Sequence, residues 1–389
     1  MWRNVRLILF VTIAMVSCSE QNLLEVEEMH SWRYLEYLHA KSSNPEKAFF
    51  TGMQVWRDKI FINIPRLYDN IPITFGWIPR FENAPTFDQP IRPFPDYSWQ
   101  DAEGRGQCRG FVSTFRSRID RCNRIWTIDS GKINALGSTP PLNPRVPCPP
   151  RILGFDLETG HFVKSVAVPN EVINNMTTFT YLSVEFVPGG DCDDMYIYLS
   201  DTLGWGLVVY DVKRNSFWRH EHNAFNPDPS KVWSSINGER FNMGDGLIGS
   251  TVATLNGERV FIFHPYARTT LFYVPLRFIN DPTVKHLPVR PLMEQSSQGI
   301  PLATDRHNTV YMSMITETNV LRWNPSRFGP QPVLVAEDNK RFQVVADFSF
   351  DGDEVWLASN RLQGVINDSY FKNATNLRIM RLRKKRTGH

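Results

Sequence analysis

Long apolar runs are missing from this 389-residue chain. The best candidate, residues 7–16, is about ten residues, half of what a helix needs to cross roughly 30 Å of hydrocarbon, so no membrane span is expected. An excess of one charge is missing too. The 43 Lys and Arg nearly balance the 40 Asp and Glu, which leaves no electrostatic footprint for a nucleic-acid partner. Cysteine is scarce, and no two of the five have the C-x-x-C spacing of a zinc site. Also absent are the G-x-S-x-G nucleophile elbow, the H-E-x-x-H metal helix and the glycine-rich phosphate loop. The sequence therefore calls for no cofactor and no metal, and it names no catalytic residue.

What is present begins with an export signal. Arg3 and Arg6 precede the apolar run, and Ser17, Cys18 and Ser19 follow it, the order of a cleaved signal peptide. Residues 1–19 read as that signal, 20–383 as one folded unit and 384–389 as a basic tail. A secreted, extracellular protein is expected. The run RLRKKR at 381–386 reads as solvated. Asn175, Asn367 and Asn373 each open an N-x-S/T triplet and are the expected glycosylation sites.

With 27 Pro and 23 Gly, the chain should be rich in turns and short strands. Residues 108–131, CRGFVSTFRSRIDRCNRIWTIDSG, read as two strands joined by a polar turn. Phe111, Val112 and Phe115 lie on the first and Ile125-Trp126 on the second. The second half recurs. A β-branched residue followed by an aromatic stands at Ile60-Phe61, Ile125-Trp126, Ile197-Tyr198, Val260-Phe261, Val310-Tyr311 and Val355-Trp356. A strand-like segment precedes each pair and a third strand usually follows, as at Phe155-Asp156 and Tyr210-Asp211. Four-stranded units at a period of about 45–70 residues indicate an all-β fold, a β-propeller, and six anchors indicate six blades. The last unit runs out of chain before its outer strand. Residues 32–37, WRYLEY, alternate as a strand should, so an N-terminal strand is expected to complete the last blade and cover its open edge.

Loss of Cys18 with the signal leaves four cysteines and three possible pairings. The blade order chooses among them. Cys122 and Cys192 fall in first-to-second strand turns of neighbouring blades, on one face of the disc. Cys108 and Cys148 fall at strand starts on the other face. The expected bonds are Cys108–Cys148 and Cys122–Cys192.

Residues 108–131, followed by CPPRILGFD at 148–156, resemble the insect Yellow/major royal jelly protein family. PFPDY at 93–97 and LVVYDVKRNSFW at 207–218 extend the resemblance to nearly the whole mature chain. It implies a secreted six-bladed propeller. Members serve in cuticle, pigmentation, eggshell, nutrition and saliva; some bind biogenic amines in the central channel, and some convert dopachrome in melanin synthesis. In the amine binders a Thr on the last blade's first strand, and an Asn and a Phe after its second, touch the ligand. The matching positions here are Ala346, Asn360 and Leu362, of which only the Asn is kept.

The ends of the second strands should rim the channel, placing Ile64, Asp129, Asp201, His264, Met314 and Asn360 around it. Two carboxylates, an imidazole and an amide suit a small aromatic or amine ligand, or a proton shuttle in a tautomerisation. Ile64 and Met314 leave too few ligands for a channel metal. His220 and His222, on one face of a strand without a third ligand, read as a solvated outer strand rather than a metal site. The expected role is a non-enzymatic binder or an extracellular-matrix component; the alternative is a dopachrome-converting isomerase.

Overall fold

The computed structural model describes residues 23–42, 44–80, 86–101, 108–134, 144–326, 331–370 and 372–384. The expected signal at 1–19 and the expected tail beyond Lys384 lie outside the described residues. Six sheets, antiparallel but for one short parallel pair at the outer edge of the sixth, surround one axis. Their innermost strands are Gly52–Trp56, Thr114–Ile119, Phe179–Phe186, Leu247–Leu255, Gly299–Thr304 and Val344–Asp351. Each pairs with a second strand that carries one of the aromatic anchors: Lys59–Asn63, Arg124–Asp129, Met195–Asp201, Glu258–Pro265, Val310–Met314 and Glu354–Asn360. The protein is an all-β, six-bladed propeller.

The anchors are buried because each lies between neighbouring sheets. Tyr198 of the third blade meets Phe261 of the fourth with ring centroids 5.4 Å apart, and Tyr311 of the fifth meets Phe348 of the sixth at 6.2 Å. The β-branched partners, from Ile60 to Val355, are buried beside them. Burying each such side chain contributes roughly 1.5–3 kcal/mol.

An N-terminal strand does complete the last blade, but it is not the segment at 32–37. The strand is Glu25–Trp32, paired antiparallel with Leu377–Arg383, and the chain turns away where the expected strand would begin. Charge explains this register better than alternation. Glu25 stands opposite Arg383 and Glu27 opposite Arg381. Arg381 is buried and bonds Glu27 at 2.9 Å and Glu354 at 3.0 Å, while Arg383 reaches Glu27 at 3.0 Å. The basic run is therefore not solvated over 381–383. It is half of the clasp that closes the ring.

Cys108 is bonded to Cys148, with Cα atoms 5.8 Å apart, and Cys122 to Cys192, at 6.0 Å. Asn175, Asn367 and Asn373 are all exposed. His220 is buried rather than solvated, its Nε2 lying 2.8 Å from the Ile279 carbonyl. One element was not anticipated. A hairpin, Trp233–Ile236 with Glu239–Asn242, is inserted between the third and fourth blades. It reaches across the disc to the sixth blade, where Glu239 bonds Arg361 at 3.0 Å and Asn367 Nδ2 donates to the Arg240 carbonyl at 2.8 Å.

Candidate functional site

An innermost strand turns one edge to the axis, where its backbone groups have no strand partner. Side chains from other blades take several of them. Val55 N donates to Ser349 Oγ at 2.9 Å, and the Tyr181 hydroxyl donates to the Leu302 carbonyl at 2.6 Å. Arg116 crosses the axis to the carbonyls of Thr180, 2.6 Å, and Ala346, 3.0 Å. Arg118 forks onto the fully buried Asp347 with two bonds of 2.9 Å, and Met53 N donates to the same carboxylate. The guanidiniums of Arg116 and Arg118 lie 4.6 and 4.8 Å from the ring centre of Tyr181. This polar layer divides the channel into an upper cavity of about 430 Å³ and a lower one of about 810 Å³.

The upper cavity is built by backbone irregularity. Five of the six innermost strands carry a register shift near their upper ends. The residues within those shifts include Phe115, Arg116, Thr180, Ile248, Ile300 and Ala346, and all six line the cavity. An extra residue in one strand re-aims its side chain, which is why bulges gather at binding sites. The walls add the rings of Phe49 and Tyr68, and the inserted hairpin and the segment after it add Asn242, Met243, Gly244 and Asp245.

Asp245 is the unusual member. Its carboxylate makes no hydrogen bond or ion pair with any described residue, and burial pushes its pKa up to about 6. Arg116 supplies the opposite polarity: it is buried, and its Nε has no partner. Asp368, also in the lining, is engaged by Lys47, whose ammonium lies 4.8 Å from the Tyr68 ring centre. The cavity wall already stacks one cation on an aromatic face.

Three of the six residues expected to touch a ligand line this cavity: Ala346, Asn360 and Leu362. The Asn360 amide is already in use, donating to the Phe50 carbonyl at 2.8 Å and accepting from Leu362 N at 2.9 Å. Asp129, Asp201 and His264 are not among the lining residues. Asp129 is fully buried and takes Val112 N, Ser113 N and Gly131 N, with Arg151 at 2.9 Å. Asp201 does the same in the next blade with Thr178 N, Gly204 N, the Thr177 hydroxyl and Arg219. Both carboxylates hold the chain entering their blade, because a buried charge is stable only when amides and a cation surround it.

His264 lies between two innermost strands. A Cβ on Gly249 would fall 2.5 Å from its Nε2, so only glycine leaves room for the ring. That nitrogen has no partner, and burial lowers the imidazole pKa to about 4; burial does the same to His30. Both values lie below the unfolded value of about 6.5, so the unfolded chain takes up protons first as pH falls. Stability should be full above pH 6.5 and decline toward pH 4.5, by on the order of 2–3 kcal/mol per group once pH nears 4. Urea midpoints measured across that window check this; a flat profile would contradict it.

A profile of the major royal jelly protein family matches residues 112–388. The chain belongs to that family. Its relatives within the family's reach include the dopaminechrome tautomerase of Drosophila melanogaster, 25% identical over 93% of this chain and 82% of that one. Major royal jelly protein 1 of Apis mellifera is 25% identical over 90% and 86%. Protein yellow of Drosophila guanche is 27% identical over 96% of this chain and 68% of its own. The relatives thus include one named for an activity, one for royal jelly and one for a colour. Membership gives the scaffold, and only the site can give the chemistry. Among the described residues no three His, Cys, Asp or Glu side chains converge as metal ligands.

Proposed function

We propose that this protein is exported and binds a small, flat aromatic amine in its upper cavity. The observation that carries this is the Asp245 carboxylate, without a partner, in a chamber walled by Phe49, Tyr68 and Phe115. A ligand ammonium would supply the missing counter-charge, the rings would take the aromatic face, and Arg116 Nε would donate to a ring oxygen. Two disulfides suit an oxidising compartment. A role in cuticle, eggshell or pigmentation fits such a carrier, with matrix components as neighbours. Calorimetry with dopamine and serotonin tests the site. Asp245→Asn should remove about 1.5–3 kcal/mol of binding, roughly ten- to hundredfold in affinity. Absence of heat with the native protein, or equal affinity in the variant, would sink it.

A second reading is favoured by the raised pKa of Asp245. A carboxylate poised near 6 is suited to abstract a proton at neutral pH. In a dopachrome-type tautomerisation two C–H protons leave the saturated ring, the base taking the first of them; the electrons pass to the quinone, and two protons are returned to its oxygens. No oxidant enters. The relative named for dopaminechrome tautomerisation makes this worth assaying. Decolourisation of dopachrome faster than with heat-killed protein, with an inflection near pH 6, supports the enzyme reading.

A further inference from the structure

The lower cavity has no part in either reading. It is the larger of the two and opens on the opposite face, with the Arg118–Asp347 layer at its inner end. Eight of its polar lining side chains are uncharged, among them Gln54, Ser183, Ser250, Thr251, Thr304 and Ser349. The arginines around it are matched by acids of other blades. Arg118 has Asp347, Arg259 has Glu185 at 2.8 Å, Arg57 has Glu158 at 2.6 Å and Arg306 has Asp353 at 2.8 Å. An entering ion would lose its hydration and meet arginines already paired, while the lining carboxylate of Asp305 is taken up by the backbone amides of His307 and Thr309. A hydrocarbon would cover the hydroxyls and leave them unbonded.

The hydroxyls themselves indicate what fits. Each can donate and accept, and they are bonded largely to one another. Thr251 Oγ1 lies 2.8 Å from Thr304 Oγ1, and Ser183 Oγ lies 3.1 Å from Ser250 Oγ. Ser349 Oγ accepts from Val55 N and keeps its own proton to give. Val184, Val252 and Phe348 interleave apolar surface with these groups. A lining that alternates ambivalent hydroxyls with apolar patches mirrors a sugar, whose hydroxyls and C–H faces alternate in the same way. The volume lies in the range of small-molecule sites.

We infer that the lower cavity binds a neutral polyhydroxylated molecule of mono- or disaccharide size. Saturation-transfer NMR on the full chain with glucose, trehalose and myo-inositol tests this, with phosphate and spermidine as charged probes. At least one polyol should bind at millimolar concentration and neither ion should. The double variant Thr251→Val/Thr304→Val deletes both hydroxyls of a bonded pair and so leaves neither without its partner. It should weaken polyol binding about tenfold, about 1.4 kcal/mol, while dopamine binding stays as in the native protein. That second readout keeps this test separate from the one on the upper cavity. If the double variant does not fold by circular dichroism, Ser183→Ala serves with the same expectation. No transfer from any polyol, preference for an ion, or unchanged affinity in the folded variant overturns the inference.

Discussion

Trp126→Ala should lower stability by about 3–5 kcal/mol and the melting temperature by roughly 5–10 °C. The indole is fully buried, and its Nε1 donates to Asp120 Oδ2 at 2.9 Å. Asp120 keeps its bond to Arg124 Nε, 2.7 Å, when the indole is gone, so the void rather than the lost bond dominates the loss. Gly154 on the adjacent strand shows how tightly the ring is held. A Cβ there would lie 2.7 Å from Trp126 Cζ3. Gly154→Ala should therefore be harmful in the native background and recover part of the loss beside Trp126→Ala, since the methyl enters the void. Thermal melts of the two single variants and the pair measure that coupling. Additive losses would mean the ring does not rest on Gly154.

Asp347→Ala should cost about 3–5 kcal/mol, because it leaves Arg118 buried without its counter-charge. The same change deprives Met53 N of its acceptor. Replacing both partners, as in Arg118→Met/Asp347→Leu, removes the stranded charge as well as the pair, and should restore much of the stability. Urea unfolding of the single and double variants separates the cases. A single variant as stable as the native protein would show that the layer between the cavities is not held by this ion pair.

The blade count was legible because an apolar pair recurring at the middle of every second strand has one physical use, to pack sheet against sheet. The disulfide partners followed once the strand order was known. The clasp was misplaced because alternation in WRYLEY is a weaker signal than the acids at 25, 27 and 28 meeting arginines 350 or more residues away in the chain. The inserted hairpin did carry a signal: Asn237-Gly238, both at positive φ, is the dipeptide such turns require. The upper cavity was the least legible part. A register shift has no residue signature, so nothing in the sequence singles out Arg116, Thr180 or Ile248 as facing the axis. Asp129 and Asp201 left two readings open, a ligand role and a grip on their own backbone amides, and the second holds. A carboxylate at a strand end looks the same whether it grips its own backbone or awaits a ligand, and only its partners tell the difference.

The acid-to-base clasp also has a consequence in time. Glu25–Trp32 is made at the start of synthesis, yet its partner Leu377–Arg383 emerges only after the other five blades have been translated. Until then Met29 and Trp32, both buried in the finished disc, lack the strand that pairs beside them. The newborn chain must keep these side chains from other polypeptides for the length of its own translation, so a nonsense codon that removes only the final strand would leave the whole ring unfastened rather than shorten one blade.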